Sequence, residues 1–287
     1  MPEDELSPVT QENLVNVSVV RYEQPFEEIE AVVAILRQTK IINQIYIVDN
    51  SANEDKRFKE LSVQYIFNSS NLGFGKAHNI AIRKSIDCDL KYHIVLNSDT
   101  VFAPEIFEVI VAFLNENESV GALMPKVIYP NGDIQYLCKL LPTPIDLLFR
   151  RFVPDSWTRK RARQFQLIDS GYNQIMNVPY LSGCFLVLRM EALKEVGLFD
   201  EQFFLYPEDI DLSRRIYERY KTLFFPNVSI VHVHRQGSYK SLKLLWIHIV
   251  NLIRYFNKWG WIFDAKRKQI NRATLEQIAK LLKQNKL

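Results

Sequence analysis

Apolar residues fall along this chain in two alternating rhythms, short β-branched runs and longer stretches with helical spacing. Residues 17–20 read as a strand and 26–39 as a helix, because Ile29, Val32, Val33 and Leu36 share one helical face. A second strand follows at 45–48 and a third at 63–67, which leads into a glycine-bearing turn and a helix over 75–85. The next apolar run, Tyr92 to Leu96, stops abruptly at Asn97, Ser98 and Asp99, ahead of a helix over 104–115. Strand and helix in repetition predict an α/β fold, a doubly wound and mostly parallel sheet flanked by helices. Beyond Val120 the pattern predicts shorter strands and a mixed second half. Pro130, Asn131, Gly132 and Asp133 mark a hairpin turn between 126–129 and 134–137, and strand signals resume at 177–181 and 185–188. A short helix from Met190 closes on Gly197.

Two segments depart from this rhythm. Residues 142–177 show no strand pattern and mix arginines with Phe149, Phe152, Trp157 and Phe165, which predicts a helical insertion or a mobile loop. Its basic face is either simply solvated or turned towards an anionic membrane surface. Residues 242–263 are dense in Leu, Ile, Trp, Tyr and Phe with Lys243, Arg254 and Lys258 interspersed, and 266–287 are strongly charged. An amphipathic helix docked on the body is the first expectation there, and peripheral membrane contact the second. The organisation that follows is an N-terminal extension over 1–16, one α/β domain over 17–240 with the basic insertion at 142–177, and a C-terminal helical region over 241–287.

Composition narrows the function. With 287 residues, 47% of them hydrophobic, the chain can bury a full core, which excludes disorder. A net charge of +3 carries no nucleic-acid signature, so no nucleic acid is expected as a partner. The clustering of Arg150, Arg151, Arg159, Lys160, Arg161 and Arg163 suggests a local anionic contact instead. Three widely spaced cysteines form neither a disulfide framework nor a zinc knuckle. The opening sixteen residues are acidic and polar, and no apolar run approaches the roughly 20 residues that span a bilayer. These features predict a cytoplasmic protein, placed at most on the inner face of the cytoplasmic membrane.

Chemistry concentrates at five places. Asp99 ends a buried strand, where ligands of parallel sheets collect, although Ser98 or Asp99 could equally cap the helix that follows. Glu208, Asp209 and Asp211 crowd the start of a helix behind Pro207 and the aromatic run Phe203, Phe204 and Tyr206. One or two such carboxylates are explained by the helix dipole, whereas three beside an aromatic wall suit a tuned general base. The alternation Ile230, His232, His234 places both imidazoles on one strand face. One imidazole and one carboxylate make a natural divalent site that leaves positions open for diphosphate oxygens. Residues 68–79 form a glycine-bearing turn that opens a helix and can cradle phosphate, without the spacing of a P-loop. Asp49 ends the second strand and is otherwise an ordinary turn former.

Taken in order, V-D-N-S at 48–51, N-L-G-F-G-K-A-H-N at 71–79, L-N-S-D at 96–99, S-G-C-F at 182–185 and V-G-L-F-D-E-Q-F-F-L-Y-P-E-D-I-D-L at 196–212 resemble family 2 glycosyltransferases of the GT-A fold, especially their bacterial rhamnosyltransferase-like branch. The likeness runs over residues 17–238. It implies a Rossmann-like sheet with a smaller mixed sheet and a C-terminal helical appendage. It also implies an inverting, metal-dependent enzyme that moves a sugar from a dTDP-, UDP- or GDP-linked donor to a hydroxyl of a glycan or lipid-linked acceptor, in cell-surface polysaccharide synthesis. Under the resemblance Asp49 contacts the nucleobase, while Asn71, Gly73, Lys76, Asn79 and Ser98 border the nucleotide. Asp99, with His232 or His234, holds Mn²⁺ or Mg²⁺ on the diphosphate. Asp209 is the catalytic base, and Glu208, Asp211 and Gly183 shape the acceptor side. Two positions depart from the family pattern: the D-x-D slot reads Asn97-Ser98-Asp99, and Arg21-Tyr22-Glu23 stand where many relatives carry small polar residues and Asn. The rival readings are a nucleotidyltransferase on a related sheet, which would want a glycine-rich loop after the first strand, and a non-catalytic sugar-nucleotide-binding subunit whose acidic clusters are helix caps.

Overall fold

The computed structural model describes residues 14–149, 155–233 and 242–284. In chain order the elements are β1 (Val15–Arg21), α1 (Phe26–Leu36), β2 (Ile42–Asp49), β3 (Gln64–Phe67), α2 (Phe74–Asp87), β4 (Tyr92–Leu96), β5 (Thr100–Val101), α3 (Ile106–Glu116), β6 (Val120–Ile128), α4 (Asp155–Phe165), β7 (Met176–Asn177), β8 (Phe185–Arg189), α5 (Met190–Val196), α6 (Glu208–Tyr217), β9 (Lys221–His232), α7 (Leu242–Trp259) and α8 (Ala265–Gln284). Among the described residues, nine strands form one sheet in the order β3-β2-β1-β4-β8-β6-β9-β5, with β7 paired to β9. The four strands from β3 to β4 are mutually parallel. β8 runs antiparallel between β4 and β6, and β9 returns parallel to β6. The expected mostly parallel α/β sheet with a mixed second half is therefore what the chain forms.

Both faces of the sheet are covered. On one, Val17 and Val19 of β1 pack with Ile29, Val32, Val33 and Leu36 of α1 and with Phe107, Ile110 and Leu114 of α3. On the other, Val95, Leu186 and Leu188 pack with Ile82 of α2, Met190 and Leu193 of α5, and Leu212 and Ile216 of α6. Strands buried on both faces read as unbroken apolar runs, which is why β4 was legible from sequence. A third cluster joins Leu252, Tyr255 and Phe256 of α7 to Phe203 and Ile210, so α7 docks against the start of α6.

Three sequence expectations are corrected. The strands after Val120 are long, nine residues in β6 and twelve in β9. The pair carries a bulge at which the register jumps from Pro125 opposite Phe225 to Lys126 opposite Ser229; Pro226 lies within it, a place where a missing N–H is tolerated. The hairpin turn forms, with Tyr129 N donating to Asp133 O at 2.8 Å, but its second arm shrinks to a single bridge between Ile128 and Ile134; Gln135 N still donates to Val127 O at 2.9 Å while its side chain reaches His232 O of β9. Of the predicted 177–181 strand only Asn177 pairs in one, together with Met176 just before it. The 142–177 segment is helical over α4, where Arg161 pairs with Asp146 at 2.6 Å and Arg163 with Asp169. Arg150, Arg151 and His234 lie outside the described residues. No helix among those residues is long and apolar enough to cross a membrane.

Candidate active site

The chain leaves β1 outward to β2 and β3, then returns to β4 on the other side of β1. Such a reversal opens a crevice beyond the carboxyl ends of β1 and β4, and Asn97, Ser98 and Asp99 emerge there. β5 pairs Thr100 with His232 of β9, and Val233 N donates to Asp99 O at 2.9 Å. This register sets Asp99 Oδ1 3.1 Å from His232 Nε2. Gln135 fixes the imidazole. Its amide nitrogen donates to His232 O at 2.6 Å, so its oxygen faces His232 Nδ1 at 3.0 Å and accepts a hydrogen bond from the Nδ1–H. His232 thus directs Nε2 at Asp99, the tautomer and ring orientation that metal-binding histidines take from such a partner. Asn97 Nδ2 lies 3.5 Å from the same ring nitrogen. Among the described residues no cluster of three or more His, Cys, Asp or Glu gathers to hold a metal. One carboxylate oxygen and one oriented imidazole nitrogen nevertheless fit a divalent ion that keeps most of its sphere for diphosphate oxygens.

The base candidate stands across one peptide from this pair. Asn97 N donates to Cys184 O at 2.9 Å, and Gly183 N donates to Asp209 Oδ2 at 3.2 Å. Residues 183–184 therefore touch the metal-type tip on one side and Asp209 on the other. Burial, with the charges of Asp99 and Asp209 adding to it, pushes the Cys184 thiol up to about 12, so one sulfur feels both carboxylates. Burial also raises Asp209 to about 7, against the lowering effects of nearby Lys139 and of the Gly183 and Ile210 amides. Glu208 is raised well above the carboxylate range by burial and by its neighbour Asp209, and its Oε2 is buried with no hydrogen-bond partner. Two adjacent buried carboxylates hold protons towards neutral pH, which is the range in which a general base works.

Glycines bring the motifs together. Gly73 has φ +85°, and a Cβ there would meet Phe204 O at 2.2 Å; the next residue, Phe74, donates its N–H to the same carbonyl at 3.0 Å. A Cβ on Gly75 would meet Phe199 at 2.8 Å and Glu208 at 3.4 Å, and one on Gly183 would meet the Phe74 ring at 3.0 Å. The start of α2 is thereby pressed onto the loop that delivers Glu208 and Asp209. In that loop Tyr206 takes φ +93°, a strained value for a residue with a side chain, and its ring stacks 4.3 Å from that of His248.

The remaining predicted residues have varied placements. Ser98 Oγ donates to Glu28 Oε1 at 2.6 Å, on the rim of an open groove of about 170 Å³ between α1 and the 98–101 segment. Asn71 Oδ1 accepts from Gly73 N at 2.9 Å and shapes the turn. Asp49 is enclosed: Arg21 and Tyr65 each donate to its Oδ2 at 2.7 Å, and Ser51 N to its Oδ1 at 2.9 Å. Asn79 turns inward and pairs both backbone groups of Phe199, while Lys76 reaches Glu201 at 3.9 Å on the surface. Asp211 is committed to α7 and its own helix, with Trp259 Nε1 at 2.8 Å, Lys258 Nζ at 2.7 Å and Arg215 Nε at 2.8 Å. Sequence reasoning missed Gln135 and Lys139. Gln135 falls in the predicted 134–137 arm and Lys139 just past it, and neither residue type carries a site signal of its own there.

The sequence profile of the glycosyltransferase-like family 2 matches residues 30–247, about three quarters of the chain. This chain belongs to that family. The N-acetylglucosaminyl-diphospho-decaprenol L-rhamnosyltransferases of two Mycobacterium tuberculosis strains, CDC 1551 and H37Rv, are each 26% identical to it over 187 residues. That match takes in 60% of this family 2 chain and 59% of each relative, so it spans about three fifths of their length. Among solved structures, GalNAc-T7 with UDP, GalNAc and Mn²⁺ is similar with a TM-score of 0.60 at 18% identity, covering 83% of this chain and 47% of that one. The mannosyltransferase PcManGT from Pyrobaculum calidifontis with GDP-Man and Mn²⁺ follows at 0.55 and 16%, covering 96% and 80%. TarS of S. aureus gives 0.54 and 16%, covering 91% and 42%. These likenesses establish the glycosyltransferase fold of the family 2 chain.

Proposed function

We propose that this family 2 chain is an inverting glycosyltransferase that moves a sugar from a nucleoside-diphosphate donor to a hydroxyl of a lipid-linked glycan, at the inner face of the cytoplasmic membrane. The observation that carries the reading is the pairing, across residues 183–184, of a raised, buried Asp209 with the Asp99–His232 pair. Asp209 takes the proton of the acceptor hydroxyl as that oxygen attacks the anomeric carbon. The attack comes from the face opposite the leaving diphosphate, and the anomeric configuration inverts. Asp99 and His232 are the residues that hold Mn²⁺ or Mg²⁺, which supplies positive charge against the charge gathering on the leaving group. The names of the mycobacterial relatives support a deoxyhexose such as L-rhamnose as donor sugar and a diphospho-lipid as acceptor anchor, and with them a part in polysaccharide assembly.

A donor panel tests this. dTDP-, UDP- and GDP-sugars are incubated with the protein and Mn²⁺, and nucleoside-diphosphate release and melting temperature are recorded. One donor is expected to raise the melting temperature and to be consumed when acceptor is added. Asp209→Asn is expected to keep donor binding and lose transfer by about 10²–10⁴-fold. Turnover at the native rate in that variant sinks the base assignment.

A further inference from the structure

α7 is apolar on two opposite sides. Leu252, Tyr255 and Phe256 are buried against the body. Trp246, Val250, Ile253 and Asn257, four, three and four residues apart, line up along the other side, with Trp246 67% and Ile253 39% exposed. Trp261 Nε1 donates to Asn257 Oδ1 at 2.8 Å, which carries this stripe into the turn between α7 and α8. There Ile262 is 72% and Phe263 90% exposed. The turn is firmly built. The buried Arg267 side chain bonds the carbonyls of Gly260 at 3.3 Å and Trp261 at 3.1 Å, and Asp264 receives both arms of Arg214 at 2.7 and 3.0 Å. Ile262 and Phe263 are presented to the outside by an ordered frame.

The surroundings specify the partner. Residues 242–284 contain nine lysines and arginines against two carboxylates, in a chain whose total is only +3. Asp264 is paired with Arg214, and among the cations Lys258 pairs with Asp200 and Asp211, Lys266 with Glu218 and Arg272 with Glu276, so the excess of positive charge persists once these pairs are counted out. A second copy of this basic segment would repel itself, whereas an anionic surface that also accepts apolar side chains satisfies both features. We propose that the α7 stripe and the 261–263 turn dock on an anionic phospholipid bilayer, with Ile262 and Phe263 inserted and the exposed Lys268 at the headgroups, next to Lys266, which Glu218 pairs at 2.7 Å. The proposal rests on the transferase reading for its purpose. α7 is bonded on its inner side to Asp211 of α6, so docking holds the helix that carries Asp209 beside the surface in which a lipid-linked acceptor is anchored.

The full chain is floated with phosphatidylcholine vesicles and with vesicles of equal parts phosphatidylcholine and phosphatidylglycerol, without donor or metal. Binding to the second and not the first is expected, weakened by high salt and weakened roughly tenfold or more in Ile262→Ser/Phe263→Ser. Both positions are exposed, and an unchanged melting temperature confirms that the variant folds. Absence of binding to anionic vesicles, or equal binding by the variant, overturns the proposal. A dimer that the substitutions turn into a monomer, with no vesicle binding by either form, also overturns it and assigns the stripe to self-association. Vesicle binding requires no turnover, so this proposal and the transferase reading fail on different measurements.

Discussion

Asp209 carries a cost that shows outside catalysis. An aspartate in the unfolded chain titrates near 3.9, whereas burial raises it to about 7 in the fold. Between those values the folded state binds the proton more tightly, so stability is lost as pH rises and the penalty is complete above pH 7. Asp209→Asn is therefore expected to stabilise the protein at pH 8, on the order of 1–3 kcal/mol, with the difference vanishing towards pH 4; urea unfolding at both pH values measures it. The buried His78 and His93 act with the opposite sign. Burial pushes His93 down to about 3, so its contribution is lost as pH falls below about 6.5, and only the difference between variant and native chain isolates Asp209. The rate of transfer should rise with pH along a limb near 7 that the pair Glu208 and Asp209 sets together. Gln135 belongs to the same scale. Gln135→Leu removes the acceptor that orients His232, and calorimetry with Mn²⁺ is expected to show donor affinity falling about tenfold, with metal-free affinity unchanged.

At the scale of elements, the decisive contact is the pressure of α2 on the loop before α6. Gly73→Ala places a Cβ 2.2 Å from a backbone carbonyl at φ +85°, so the loop carrying Glu208 and Asp209 must move. A loss of about 1–3 kcal/mol in thermal unfolding is expected, together with a fall in turnover larger than the fall in donor affinity. This scale also shows what the sequence could convey. The alternation of β1 to α3 was readable because each apolar period belongs to one local element. The length of β6 and β9 was not legible because the bulge that lets them run on together is a property of the pair. Among the candidate site residues, Asp99, His232 and Asp209 drew attention in the sequence through strand ends and a carboxylate cluster, and the fold sets them around residues 183–184. Asp211 and Asn79 shared those motifs yet are bonded to Trp259 and Phe199, partners that lie far away in sequence. Asp49 is enclosed because parallel register sets Arg21 beside it, and register does not appear in either strand alone.

For the molecule as a whole, the order of strands matters more than their number. β4, the strand that ends in the metal-type tip, has β1 on one edge and β8 on the other. β4 closes at Leu96 and β8 opens at Phe185, so 88 residues lie between them. During synthesis at ordinary rates β4 waits several seconds for its neighbour with one ladder of N–H and C=O groups unpaired. That bare edge is a template for another chain. The final sheet removes it when β8 pairs antiparallel, which seats Cys184 O on Asn97 N beside the tip. Asp209 and His232 follow β8 in the chain, so the proposed site closes only after this edge has been covered, and a nascent chain halted before Phe185 carries a sticky strand and no base candidate.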